Sequence, residues 1–127
     1  MKKATLLALA FTVMFSSPSY ADWEKVSKSV DGNTYYVDFE RIRKHEGFVY
    51  FWQLTDLLKP DEYRELSFKV YKQGDCKLFQ YKSLSYVYHK QPMGQDTGDT
   101  DSIKHPEWAY PPPSSANEAI LKAVCSR

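Results

Sequence analysis

The C-terminal stretch SANEAILKAVC (residues 115–125) decides how this chain folds. Ser115 followed three residues later by Glu118 is the capping-box pattern that begins a helix. Behind it, apolar residues recur at helical spacing, namely Ala116, Ala119, Ile120, Ala123 and Val124. Because so short a helix is marginal alone, we expect it to pack on the body of the domain, with Cys125 beside its buried stripe.

Residues 1–21 (MKKATLLALAFTVMFSSPSYA) have the pattern of a signal peptide. A basic start precedes an apolar run that is too short to span a bilayer, and small residues occupy the first and third places of Ser19-Tyr20-Ala21. The alternative is an N-terminal buried helix. We expect cleavage between Ala21 and Asp22, which leaves residues 22–127 as one domain in the periplasm or the medium. No cysteine lies at the cleavage site, so we expect no lipid anchor, and no later stretch predicts a membrane span.

The composition of the mature chain argues against a nucleic-acid partner. The whole chain has a formal charge of +1, and loss of Lys2 and Lys3 leaves −1. A near-neutral domain has no global electrostatic attraction to nucleic acid. The ten tyrosines, seven phenylalanines and three tryptophans are instead typical of half-buried sheets and binding faces.

The chain has two cysteines, Cys76 and Cys125. An exported protein meets oxidising conditions, and an even count favours pairing. The alternatives are a metal site or a reactive thiol, but there is no C-x-x-C motif and two cysteines are too few for a structural zinc site. The sequence therefore predicts a Cys76–Cys125 disulfide that fastens the terminal helix to the sheet.

Alternating and apolar segments predict the strands. Asp31-Gly32-Asn33 is a hairpin signal, and Asp38 is predicted to cap a short helical turn. The most apolar segment, FVYFWQLTDL, predicts a central strand. Gly74-Asp75 predicts a turn, after which Cys76 opens the next strand. The predicted strands are residues 23–29, 34–37, 48–57, 63–72 and 77–88.

These segments predict an α+β fold: an antiparallel sheet of about five to six strands with one C-terminal helix packed on a face. Residues 91–113 are rich in Pro, Gly, Asp and Ser and show little periodicity. They predict one long loop lying over the domain.

Candidate catalytic and metal-binding residues are sparse. Asp96-Thr97-Gly98 is the tripeptide of aspartic proteases, but its surroundings are polar, whereas that chemistry needs buried carboxyl groups. Asp99 and Asp101 lie nearby without the spacing of a calcium loop. The three histidines, His45, His89 and His105, are not at ligand spacing. We therefore expect no enzyme activity, no metal and no cofactor, and leave haem as an alternative ligand.

Basic and aromatic residues cluster in the segment from residue 69 to residue 82. If they share a solvent face, they form a patch that binds a protein or an acidic polysaccharide. The alternative is an ordinary solvated face with edge-protecting lysines. The predicted binding face consists of Lys69, Tyr71, Lys72, Lys77, Tyr81 and Lys82.

An ordered set of motifs resembles the surface-adhesin protein E family of Gram-negative bacteria. The set runs from YYVD (residues 35–38) through DC (75–76) and QPMG (91–94) to Trp108, PPPS (111–114) and EAILK before Cys125. The resemblance implies a small antiparallel sheet with a C-terminal helix, an intramolecular disulfide and a tendency to dimerise. The family's name-giving member is a surface lipoprotein that binds host matrix proteins and haem.

The function predicted from the sequence is therefore a non-catalytic, exported, adhesin-like binding protein that uses its exposed sheet face. Two alternatives stay open. One is a periplasmic envelope or assembly factor that pairs with a partner through an exposed strand edge. The other is a carrier of haem or another small ligand.

Overall fold

A computed structural model of the chain describes residues 21–127. The predicted signal peptide, apart from Ala21, lies outside the described residues. The described part is an antiparallel sheet of seven strands and one C-terminal helix, which confirms the predicted α+β fold. The strands are β1 (Glu24–Lys28), β2 (Thr34–Val37), β3 (Arg43–His45), β4 (Phe48–Asp56), β5 (Ser67–Asp75), β6 (Gln80–His89) and β7 (Asp99–Ser102), and the helix is α1 (Ala116–Cys125).

The strand order is β1-β2-β4-β5-β6-β7, with β3 paired to β4. The predicted central strand is β4, which pairs with three others. Short 3-10 turns lie at Phe39–Arg41 and Pro92–Gly94. Between residues 21 and 127, no helix is long and apolar enough to cross a membrane.

The core lies between α1 and one face of the sheet. Ile120 and Val124 of the helix pack on Val37, Val49 and Phe51 of β2 and β4. All five side chains are less than a tenth exposed. We call this side of the sheet the helix face and the opposite side the outer face.

The predicted turn at Gly74-Asp75 is wrong, because both residues belong to β5. A Cβ atom at Gly74 would lie 2.9 Å from Val49 Cγ2 and 3.0 Å from Leu121 Cδ1. Glycine is therefore needed here for the close approach of α1 to the sheet. The chain turns later, and Cys76 lies in that turn instead of opening β6. The start of the predicted strand at residues 63–66 is irregular, since β5 begins at Ser67.

The prediction of one long loop over residues 91–113 is also wrong in part. Asp99–Ser102 forms β7, which pairs antiparallel with β6. Its sequence, DTDS, is polar throughout and all four residues are exposed. An edge strand without apolar residues gives no hydrophobic alternation, so periodicity could not identify it. The three exposed residues of β3, RKH, were missed for the same reason.

The predicted Cys76–Cys125 disulfide is confirmed. The two Cα atoms are 5.6 Å apart, and neither cysteine is free. Cys125 is the last residue of α1. The bond therefore joins the end of the helix to the turn between β5 and β6.

Replacing Ser115 with alanine is expected to lower the free energy of unfolding by about 1 kcal/mol. Ser115 Oγ accepts a hydrogen bond from the Glu118 N–H (3.1 Å), and Glu118 Oε1 accepts one from the Ser114 N–H (3.1 Å). The variant leaves the Glu118 amide without its cap. Urea unfolding should be compared with Ser126→Ala at the other end of α1, where we expect less than about 0.5 kcal/mol. Equal changes in the two variants would contradict the capping role.

Candidate functional site

The outer face of the sheet carries a cluster of aromatic rings. It is built by residues that alternate with the buried core positions of β4, so Tyr50 and Trp52 point away from α1. Tyr71 of β5 lies beside them, with its ring centroid 4.9 Å from that of Trp52 and 6.2 Å from that of Tyr50. All three rings are half-buried and keep part of their surface in solvent.

Two cations on the outer face lie over aromatic rings. Arg43 of β3 places its guanidinium carbon 4.8 Å from the Tyr50 ring centroid, and its Nη2 donates to the Tyr71 hydroxyl at 3.5 Å. Lys82 of β6 places Nζ 4.5 Å from the ring centroid of Trp108. Arginine and lysine are held over aromatic faces by the ring quadrupole. The outer face thus combines rigid aromatic area with fixed positive charge.

A groove adjoins the aromatic cluster. Trp52, Lys69, Val87 and Thr100 line a cavity of about 310 Å³, and a neighbouring space of about 760 Å³ continues past Met93. Trp23, Arg41 and Lys69 line both spaces. Burial lowers the pKa of Lys69, while the nearby Asp96 carboxylate opposes that shift.

The structure does not bring the six predicted binding residues together. Lys69, Tyr71 and Lys82 lie on the outer face, whereas Lys72 and Tyr81 lie on the helix face. Lys77 is exposed in the turn between β5 and β6. The prediction that the six residues share one face is therefore wrong, because neighbouring residues such as Tyr81 and Lys82 must point to opposite sides of a strand.

Lys72 has an unusual environment for a lysine. Its side chain is buried, with 4% exposure, and Nζ donates to Asn117 Oδ1 at 2.8 Å. Nζ also lies 4.5 Å from the ring centroid of Tyr81, whose hydroxyl accepts from Asn117 Nδ2 at 2.9 Å. Burial lowers the pKa of Lys72 to about 7. Lys72 is therefore unavailable to a large partner on the surface.

The protease-like tripeptide forms a structural loop. Asp96 accepts hydrogen bonds from the N–H groups of Lys90 (3.2 Å) and Gln91 (3.4 Å), and its Oδ1 lies 3.1 Å from Nδ1 of His89. His89 is fully buried. A Cβ atom at Gly98 would lie 2.7 Å from the His89 ring, so glycine allows the loop to close over it. Asp96 thus stabilises the loop between β6 and β7 through these hydrogen bonds.

The other candidate ligands are dispersed on the surface. Asp99 and Asp101 are exposed on β7, and His45 and His105 are exposed elsewhere. Within the described range, no three metal-binding side chains form a cluster.

Comparison with known proteins gives one family and one fold. A family model described as "Surface-adhesin protein E" matches residues 23–126. No curated protein matches the chain. Crystal form II of Haemophilus influenzae protein E is similar with a TM-score of 0.63 at 18% identity, covering 86% of this chain and 91% of that one. Another structure of Haemophilus influenzae protein E gives 0.61 at 18% identity, with coverage of 86% and 87%. At this identity the solved structures establish a shared fold.

Proposed function

This chain belongs to the surface-adhesin protein E family, and on that premise we propose that it is an exported, non-catalytic binding protein whose outer face contacts a protein or an acidic polysaccharide. Family membership makes it an adhesin-like protein, in agreement with the motifs of its sequence. The proposed mature form is residues 22–127, produced by cleavage after Ala21. It requires no cofactor in this proposal.

The observation that supports this proposal is the arrangement of rings and cations on the outer face. Trp52, Tyr71 and Tyr50 offer a large contact area at low cost in side-chain entropy. Arg43, which lies over Tyr50, and Lys82, which lies over Trp108, add positive charge to the same face. A partner with acidic groups spaced along an apolar or sugar backbone would complement both features.

The face is a better candidate than the edge of the sheet. The two end strands of the sheet both carry exposed charges, Asp99 and Asp101 on β7 and Glu24, Lys25 and Lys28 on β1. Charged residues on an edge strand disfavour the addition of another strand. We therefore place the partner on the outer face and its groove, and do not propose strand pairing.

Replacing Arg43 and Lys82 together with alanine is expected to weaken binding to immobilised heparin by about tenfold or more, the loss typical of two rim charges in an interface. The same variant is expected to lose binding to an acidic polypeptide, poly-glutamate, if the partner is a protein segment. Surface plasmon resonance at about physiological salt measures both.

The matched control is Lys59→Ala with Lys122→Ala, which removes the same charge from exposed positions away from the outer face. We expect this control to change binding by no more than about twofold. Equal losses in both double variants would show non-specific attraction. That result, or an absence of binding by the natural chain, would overturn the proposed role of the outer face.

A further inference from the structure

A second cavity lies on the helix face, separate from the outer face. It has a volume of about 250 Å³ and lies between strands β4–β6 and the first turn of α1. Aromatic rings form much of its wall, including Phe68, Tyr81 and Tyr86. Lys72, Gln53 and Asn117 supply its polar lining. The cavity therefore combines an apolar wall with a few convergent polar groups, which is the usual character of a small-molecule site.

The ammonium group of Lys72 has no counter-ion in the described part of the chain. Its hydrogen bond goes to the neutral Asn117 amide, and no carboxylate lies within ion-pair distance. Besides Lys72, the titratable groups that line the cavity are Tyr35 of β2 and Tyr81 and Tyr86 of β6, and none of them is a carboxylate. A buried cation without an anion is costly. Burial alone lowers the pKa of Lys72 to about 7.

Gln53 provides a second buried polar group that lacks a partner. Its side chain is 3% exposed, and its Nε2 donates to Thr55 Oγ1 at 3.4 Å. Its Oε1 accepts no hydrogen bond from any residue between 21 and 127. Buried acceptors are normally satisfied. The cavity therefore holds an unneutralised cation and an unused acceptor, both on the same face of the sheet.

We propose that this cavity binds a small organic acid, whose carboxylate pairs with Lys72 and whose hydrogen-bond donor reaches Gln53 Oε1. The rings of Phe68, Tyr81 and Tyr86 contact the body of the ligand. The volume fits a single-ring acid of about ten non-hydrogen atoms and excludes a much larger cofactor. The site is on the opposite side of the sheet from the proposed partner surface, so each proposal stands or fails separately.

The test is an NMR titration of the mature chain with 4-hydroxybenzoate at about pH 6, where the lysine is charged. We expect saturable shifts centred on Asn117, Gln53 and Lys72, with a dissociation constant of about 1 mM or tighter. The neutral methyl ester of the same acid is expected to bind about tenfold more weakly or not at all. Raising the pH to about 8.5 should weaken binding of the acid by about tenfold or more, since Lys72 then loses its proton.

Two variants locate the binding. Lys72→Met is expected to abolish saturation, whereas Lys59→Met, a change at an exposed turn, leaves it unchanged. Gln53→Leu preserves the volume of the side chain and should weaken binding by about fivefold or more. It keeps the test decisive if Lys72→Met does not give a dispersed, folded spectrum.

Three outcomes overturn the proposal. They are equal affinity for the acid and its ester, undiminished binding by both cavity variants, and no saturable binding of 4-hydroxybenzoate, benzoate or lactate by about 10 mM. The last result would mean that the cavity contains only water beside a lysine without a counter-ion.

Discussion

Removing the Cys76–Cys125 disulfide is expected to lower the free energy of unfolding by about 4 kcal/mol. The bond joins residues 49 positions apart, so its loss gives the unfolded chain much greater conformational freedom. It also fastens a helix of ten residues, which has little stability alone. Without the bond, α1 depends on the burial of Ile120, Leu121 and Val124.

Urea unfolding of a Cys76→Ser, Cys125→Ser double variant measures this loss. The natural chain with reductant should give nearly the same value, because Cys76 is exposed and accessible. Reductant added to the double variant serves as the control and should change nothing. A loss below about 1 kcal/mol would mean that packing alone holds α1 on the sheet.

The elements with strong local signals could be predicted from sequence. The Ser115 cap, its Glu118 partner and the apolar spacing behind them place α1 where the structure has it. The central position of β4 follows from apolar residues on both of its faces. The disulfide follows from the export signal and the cysteine count, and needs no knowledge of geometry.

The elements that depend on tertiary contacts could not be predicted. Gly74 has the local appearance of a turn residue, and only the approach of Leu121 explains its place inside β5. The edge strand β7 forms because β6 offers a pairing partner, since its own sequence has no apolar pattern. Local propensity is a weak guide where pairing decides the structure.

The faces of β6 show a related difficulty. Tyr81 and Tyr86 are five residues apart, so simple alternation puts them on opposite faces. The register between β5 and β6 shifts after Tyr71, which pairs with Ser85 while Lys72 pairs with Ser83. The extra residue in this bulge returns both tyrosines to the helix face. The cavity wall therefore could not be derived from the sequence of β6.

The position of Lys72 did have a signal in the sequence. Phe68, Val70 and Lys72 alternate along β5, so a lysine on the side of two apolar residues is expected to point toward the core. The charge of the side chain instead favours an interpretation in which Lys72 points into solvent. A lysine in register with an apolar face is therefore a sign of a buried ammonium group, which is costly when no anion pairs with it.

Replacing Lys72 with methionine is expected to remove a large pH dependence of stability. Burial lowers the pKa of the folded-state ammonium from 10.5 to about 7. Between these two values the unfolded chain binds a proton that the folded chain has released, so the stability of the natural protein rises with pH. The full rise contributed by this group is about 5 kcal/mol, from about 1.4 kcal/mol for each of roughly 3.5 pKa units. Below about pH 7 both states are charged, and the cost of burying the ammonium is constant.

The decisive quantity is the difference in unfolding free energy between Lys72→Met and the natural chain, measured in urea at about pH 6 and about pH 9.5. At the lower pH we expect the variant to be more stable by about 3 kcal/mol, since methionine buries no charge and loses only the Asn117 hydrogen bond and the contact with Tyr81. At the higher pH the difference should shrink toward zero, because the natural lysine is then neutral. Lys59→Met, at an exposed turn, should show a difference near zero that does not vary with pH. Parallel curves of unfolding free energy against pH for the natural chain and Lys72→Met would mean that Lys72 titrates as it does in the unfolded chain. The cavity would then lack the desolvated cation on which its proposed affinity for an organic acid depends.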